Sequence, residues 1–237
     1  MNNKIGIFDS GIGGLTTLKE IQKLLPNESY LFYADSKNNP YGDKEQDELY
    51  SIVTNIVEYL ISRKVKLIVI ACNTATTKCI EQLRKDYPNI PFVGTEPSIK
   101  MACEKGYKNT LVLATPGTIA SERMLQLVEE NKRPDENLML IACDKLANAI
   151  ENNDEEQIDR ILHYYLDGFV DKEIDAVILG CTHYPHVKDK IQSFFKDAVL
   201  IDGNDIVAKH VKFELWAHNL LKKNETPGSI EFIQTKK

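Results

Sequence analysis

The chain has 237 residues, 43% of them hydrophobic and 27% charged, with a formal net charge of −6. That composition suits a folded protein of one large or two ordinary domains, and its acidic balance argues against a general nucleic-acid or anionic-membrane surface. No apolar run approaches the roughly 18–20 residues of a membrane span, and the opening MNNKIGIFDSG lacks the apolar core of a signal peptide, so a cytoplasmic protein is expected.

Short apolar runs alternate with longer amphipathic ones. KIGIF (4–8) reads as a strand, and GGLTTLKEIQKLL (13–25) as a helix stopped by Pro26. SYLFYAD (29–35) is the next strand, and 36–44 is a loop rich in turn formers. Residues 45–63 follow helical spacing, with Leu49, Ile52, Val53, Ile56, Tyr59 and Leu60 on one side. A buried strand at 66–71, a helix at 74–87 and a short strand at 91–94 complete the first half. The second half repeats the rhythm, with strands at 109–114, 138–142, 174–179 and 198–201. Its helices fall at 97–105, 118–130, 155–171, 186–195 and 205–222.

This alternation predicts an α/β fold: two similar lobes of about four strands each, with mostly parallel sheets flanked by helices. The expected division is 1–95 plus 205–237 for one lobe and 96–204 for the other. The last helix, carrying the only tryptophan, Trp216, packs back on the first lobe in this reading, and the polar tail 223–237 is mobile or loosely packed.

An odd number of cysteines, five, argues against a disulfide framework. There is no CxxC pair, and the spacing of Cys72, Cys79, Cys181 and His183 does not suit zinc, so no metal site is expected. Cys79, Cys103 and Cys143 read as small buried hydrophobes. Cys72 and Cys181 differ. Each lies just past an apolar run and is followed within two residues by threonine, in IVIACNTAT (68–76) and ILGCTHYP (178–185).

Ligands of open α/β sheets sit beyond the carboxyl ends of the strands. FDSGIGG (8–14), ADSKNNPYG (34–42), ACNTAT and GCTHYP all fall there. FDSGIGG is only a weak nucleotide fingerprint, because a third glycine would have to stand at Thr16; a tight turn with close helix packing accounts for it equally well. Asp9 within it has little packing value. A phosphatase reading of Cys72 fails at Lys78, where an arginine fork is needed. A hydrolytic pairing of Cys181 with His183 stays open, as do two plain core cysteines. A third reading uses both thiols on opposite faces of one carbon, one removing a proton and the other donating one, which inverts a stereocentre. The polar neighbours Asn73, Thr74, Thr76, Thr182 and His183 favour a site over a core.

GIFDSGIGGLT, PYG, ACNTAT, ATPGT and LGCTHYP, in this order and spacing, resemble the glutamate racemases of the cofactor-independent aspartate/glutamate racemase superfamily. The resemblance implies two pseudo-symmetric α/β lobes with the active site in the cleft between them. It implies interconversion of L- and D-glutamate without pyridoxal phosphate or any other cofactor, supplying D-glutamate for peptidoglycan. By similarity, Cys72 deprotonates D-glutamate and Cys181 deprotonates L-glutamate, assisted by Asp9 and His183 respectively, with Glu151 as a further catalytic candidate. Ser10, Asp35, Pro40, Tyr41, Gly42, Asn73, Thr74, Thr118 and Thr182 are the implied substrate contacts. A homodimer is implied, with no nucleic-acid or membrane partner. The loop before Glu151, ACDKLANAIE (142–151), departs from the Cys-Pro and Pro-Leu-Val-Glu pattern usual in the family. An aspartate racemase of the same superfamily and a non-catalytic regulatory protein on this scaffold are the alternatives.

Overall fold

The computed structural model describes residues 4–236. In chain order the elements begin with β1 (Ile5–Asp9), α1 (Leu15–Leu24), β2 (Tyr30–Ala34), α2 (Gln46–Ser62), β3 (Leu67–Ile70), α3 (Asn73–Asp86) and β4 (Phe92–Gly94). There follow α4 (Ile99–Lys105), β5 (Asn109–Ala114), α5 (Pro116–Ile119), α6 (Glu122–Asn131), β6 (Asn137–Ala142), α7 (Leu146–Glu151) and α8 (Glu155–Leu166). Then come β7 (Ala176–Gly180), α9 (Lys188–Phe194), β8 (Val199–Ile201), α10 (Asn204–Ala217) and β9 (Ile230–Gln234). Contacts divide the chain into two compact units. One ends at Thr95 and resumes at Asn204; the other is Glu96–Gly203.

The first unit carries a five-stranded sheet in the order β4-β3-β1-β2-β9, with parallel pairing throughout. Its β1 and β3 are buried at every position, as strands covered on both faces must be. Leu49, Val53, Ile56 and Leu60 of α2 pack on one face with Cys79 and Leu83 of α3. Leu18 and Ile21 of α1 pack on the other with Val207, Val211 and Leu215 of α10. The last helix therefore returns to the first unit as expected, but Trp216 does not take part in that core. It is 65% exposed and lies against Phe213.

The second unit carries a four-stranded parallel sheet, β6-β5-β7-β8. Helices α7, α8 and α9 supply one core, with Leu146, Ile150, Leu162, Leu166 and Ile191. Helices α4 and α6 supply the other, with Ile99, Ala102, Met124 and Leu127. The expected helix at 118–130 is two helices, because Ser121 interrupts it as an N-cap: its Oγ accepts from the Met124 N–H at 3.2 Å. The expected helix at 155–171 ends at Leu166 and continues only as a short 3-10 turn. The helix expected to reach 222 stops at Ala217, just before Asn219 takes a left-handed conformation (φ 56°).

The tail corrects a sequence expectation. Residues 230–234 are not loosely packed; they form β9, in register from Tyr30↔Ile230 to Ala34↔Gln234. Glu231 pairs with Lys4 and Arg63, each at 2.5 Å, and Phe232 stacks on Phe32 with ring centroids 5.7 Å apart. The turn into this strand passes very close to the chain at Glu28. The Gly228 N–H donates to the Pro26 carbonyl at 3.1 Å, and a Cβ on Gly228 would lie 1.6 Å from the Glu28 carbonyl oxygen. Gly228→Ala is therefore expected to pull the start of β9 off β2 and to cost about 1–3 kcal/mol. Denaturant unfolding with amide exchange of β9 measures both effects; unchanged stability would show that the turn yields freely.

Candidate active site

In the first unit the candidate residues collect at the carboxyl ends of β1, β2 and β3. Asp9 is the last residue of β1 and is fully buried. Its Oδ2 accepts the Gly14 N–H at 2.9 Å, at the N-terminus of α1. Glycine is needed there, since a Cβ would come within 2.8 Å of Asp9 Cβ and 2.9 Å of Ala71 Cβ. The glycine elbow thus seats α1 against the strand ends and orients the acid, which accounts for FDSGIGG without a nucleotide. Cys72 follows β3 at the N-cap position of α3, where aligned peptide N–H groups favour negative charge. Its Sγ lies 3.9 Å from Ser10 Oγ. Asn73 and Thr74 open α3 and are buried. Asn73 Oδ1 has no hydrogen-bond partner among the described residues, an unmet acceptor that a ligand donor would satisfy.

The loop between β2 and α2 brings the remaining candidates of this unit. Asp35 is 1% exposed. Its Oδ2 accepts from the Tyr41 hydroxyl at 2.7 Å, and both its oxygens accept from Asn38 Nδ2, at 2.9 and 3.1 Å. Tyr41 and Gly42 stand in a 3-10 turn immediately after Pro40. Burial, with the Asp35 charge next, holds the Tyr41 hydroxyl well above the usual tyrosine range, so it stays neutral. Lys78 donates to the Lys44 carbonyl at 2.9 Å and so fastens the far end of this loop.

In the second unit Cys181 directly follows β7 and Thr182 and His183 come next, all buried. Cys181 Sγ and His183 Nδ1 lie 3.8 Å apart, so neighbours two apart in sequence do face each other. On the opposite side of the ring, His183 Nε2 is 2.7 Å from Glu151 Oε2. Helix α7, absent from the sequence reading, delivers Glu151 at its last turn; His183 is 1% exposed and Glu151 6% at the side chain. Despite its altered sequence, the 142–151 stretch thus brings its carboxylate to the histidine. Thr118 is buried in α5, its Oγ1 3.0 Å from that of Thr115.

A model of the Asp/Glu/hydantoin racemase family matches residues 21–211. This chain belongs to that family. It is similar to a glutamate racemase of Clostridium acetobutylicum, 38% identical over the whole of this chain and 93% of the relative. Among solved structures it resembles glutamate racemase from Francisella tularensis in complex with D-glutamate, at 32% identity and TM-score 0.84, covering 100% of this chain and 89% of that one. It also resembles a glutamate racemase isoform from Bacillus anthracis, at 30% identity and TM-score 0.86, covering 99% of this chain and 89% of that one. The fold is the one these structures share: α/β, with parallel sheets flanked by helices.

The other three cysteines, Cys79, Cys103 and Cys143, are buried too. Burial pushes the Cys79 and Cys143 thiols up to about 12 and Cys103 up to about 11, so all three stay protonated near neutral pH. Two polar residues in the loop region escaped the sequence reading. Asn39, 8% exposed, has both amide atoms buried without a partner among the described residues. Thr235, one residue past β9, reaches Asp35, its Oγ1 donating to Oδ1 at 3.0 Å. The Asn-Pro pair was a visible signal for Asn39. Thr235 had none, because its partner is 200 residues away in sequence.

Proposed function

We propose that this chain interconverts L- and D-glutamate by a two-base proton transfer at Cα without a cofactor. Family membership makes racemisation the chemistry to explain. The observation that carries the residue assignment is the repeated placement of a buried thiol just beyond the carboxyl end of a parallel strand, once in each unit. Cys72 takes the proton from D-glutamate and Cys181 from L-glutamate. In each direction the opposite thiol returns a proton to the other face, so the two sulfurs exchange protonation states as the centre inverts. Asp9 assists Cys72, and His183 with Glu151 assists Cys181. Ser10, Asn73, Thr74, Thr118 and Thr182, with the backbone of Pro40, Tyr41 and Gly42, hold the carboxylates and ammonium. The developing carbanion needs fixed donors at the α-carboxylate, and these hydroxyls, amides and N–H groups are the groups to supply them. The unmet Asn73 Oδ1 suits the ammonium group. The product D-glutamate would feed peptidoglycan synthesis, in a cytoplasmic homodimer as the resemblance implies.

The deciding experiment is incubation of the purified chain with L-glutamate in heavy water, with nothing added. Racemisation with deuterium at Cα is expected, and the same from D-glutamate. Faster turnover of aspartate would move the substrate to the shorter acid. A folded protein that exchanges none of them would overturn the enzyme reading in favour of a regulatory one.

A second reading has one observation in its favour. Cys181, His183 and Glu151 form a line of thiol, imidazole and carboxylate, the arrangement of a cysteine hydrolase. It gives Cys72 no task, and the chain's family is one of racemases.

A further inference from the structure

We propose that Thr235, just past the end of β9, is a positioning residue: its hydroxyl locks the 35–44 loop, through Asp35, in the conformation that receives substrate. The inference rests on the proposed function for its kinetic consequence, but its geometry stands alone. Thr235 lies one residue beyond the last ladder pair of β9. Its N–H continues the ladder by donating to the Ala34 carbonyl at 3.0 Å. Its side chain does something the ladder does not require. The hydroxyl donates to Asp35 Oδ1 at 3.0 Å and accepts from the Lys37 N–H at 2.9 Å, bridging the first residues of the loop. The neighbouring Gln234 adds a bond from Nε2 to Ser36 Oγ at 3.0 Å.

Asp35 relays this hold. It is a buried carboxylate whose side-chain donors are Asn38, Tyr41 and Thr235. Each donor comes from a different point: the start of the loop, its 3-10 turn, and the C-terminal strand. A buried carboxylate that loses one donor is under-solvated and will recruit another group or admit water, and either response moves the loop. The Tyr41 ring is seated in the same core cluster as Cys72. With its hydroxyl committed to Asp35, the loop offers substrate its backbone rather than its phenol. Asp35 thus acts on the loop and not on the substrate, because its oxygens are already taken up by Asn38, Tyr41 and Thr235.

The test compares Thr235→Val, which keeps the shape and removes the hydroxyl, with Thr235→Ser, which keeps the hydroxyl. Thr235→Val is expected to raise KM for both glutamate enantiomers about tenfold, with kcat changed less, and to speed amide exchange across 36–44 by a similar factor. Thr235→Ser is expected to return both to within about twofold of the parent. A purely structural role would lower the unfolding midpoint and leave KM of the folded enzyme unchanged; that result overturns the proposal, as does a raised KM with 36–44 exchange unaltered. Should the parent not racemise glutamate, the functional reading fails, and exchange at 36–44 in Thr235→Val alone decides whether the lock exists.

Discussion

Cys72→Ser and Cys181→Ser are each expected to lower the rate of glutamate racemisation by about 10²–10⁴-fold while leaving the fold intact. A hydroxyl matches the thiol in shape but is far too weak an acid to provide a base at neutral pH. In the proposed mechanism each variant keeps one working thiol, and this gives the experiment its resolving power. Cys72→Ser retains Cys181, which can still take the proton from L-glutamate, exchange it with solvent and return it to the same face. Deuterium should therefore enter L-glutamate without inversion, and Cys181→Ser should do the same with D-glutamate. If the thiols act as a unit, as proposed, the double variant should racemise no more slowly than the worse single one. Cys79→Ala and Cys103→Ala serve as controls. Their thiols are buried and held protonated, with values pushed up to about 12 and about 11, so they should lose some stability and keep kcat. Full activity in Cys72→Ser would sink the two-base mechanism and leave the line of Cys181, His183 and Glu151 as the working site.

What could be read in advance follows from the range of the forces involved. The strand at 109–114 was legible to the residue because NTLVLA is buried almost throughout and needs no partner to be recognised. The placement of Cys72 and Cys181 just past a strand end was legible because each apolar run ends at its own thiol. The contact between Cys181 and His183 needed only the tight turn between them. Glu151 was a candidate by resemblance alone, since its reach to His183 depends on α7, six residues whose boundaries no strong periodicity announces. Strand β9 was hidden for another reason. Its sequence, IEFIQ, sets Phe232 and Ile233 side by side and so lacks a clean two-residue alternation, and five residues in a polar tail become a strand only when the free edge of β2 is there to receive them. The Thr235 contact inherits that invisibility.

Glu151→Gln is expected to lower kcat/KM by about tenfold to a hundredfold, the loss attached to one buried charge-assisted hydrogen bond. Glu151 Oε2 lies 2.7 Å from His183 Nε2, and in a neutral ring that carries its proton on Nε2 toward the carboxylate, Nδ1 is left as an acceptor 3.8 Å from the Cys181 sulfur. In that tautomer the ring can receive the thiol proton and hand it back. The amide keeps the volume of the carboxylate, so unfolding should shift little. However, it can also turn its NH₂ toward Nε2, which stabilises the opposite tautomer and presents an N–H to the sulfur instead. L- and D-glutamate are mirror images, so their equilibrium constant is one and kcat/KM must fall equally in both directions. The asymmetry has to appear elsewhere. In the proposed mechanism Glu151 acts through the Cys181 side, so proton removal from L-glutamate is expected to become the slower step, and the primary deuterium isotope effect should grow more with L-glutamate labelled at Cα than with D-glutamate. Equal growth from both enantiomers would mean that Glu151 holds the unit together without tuning its thiol, and an unchanged kcat/KM would remove it from the machinery.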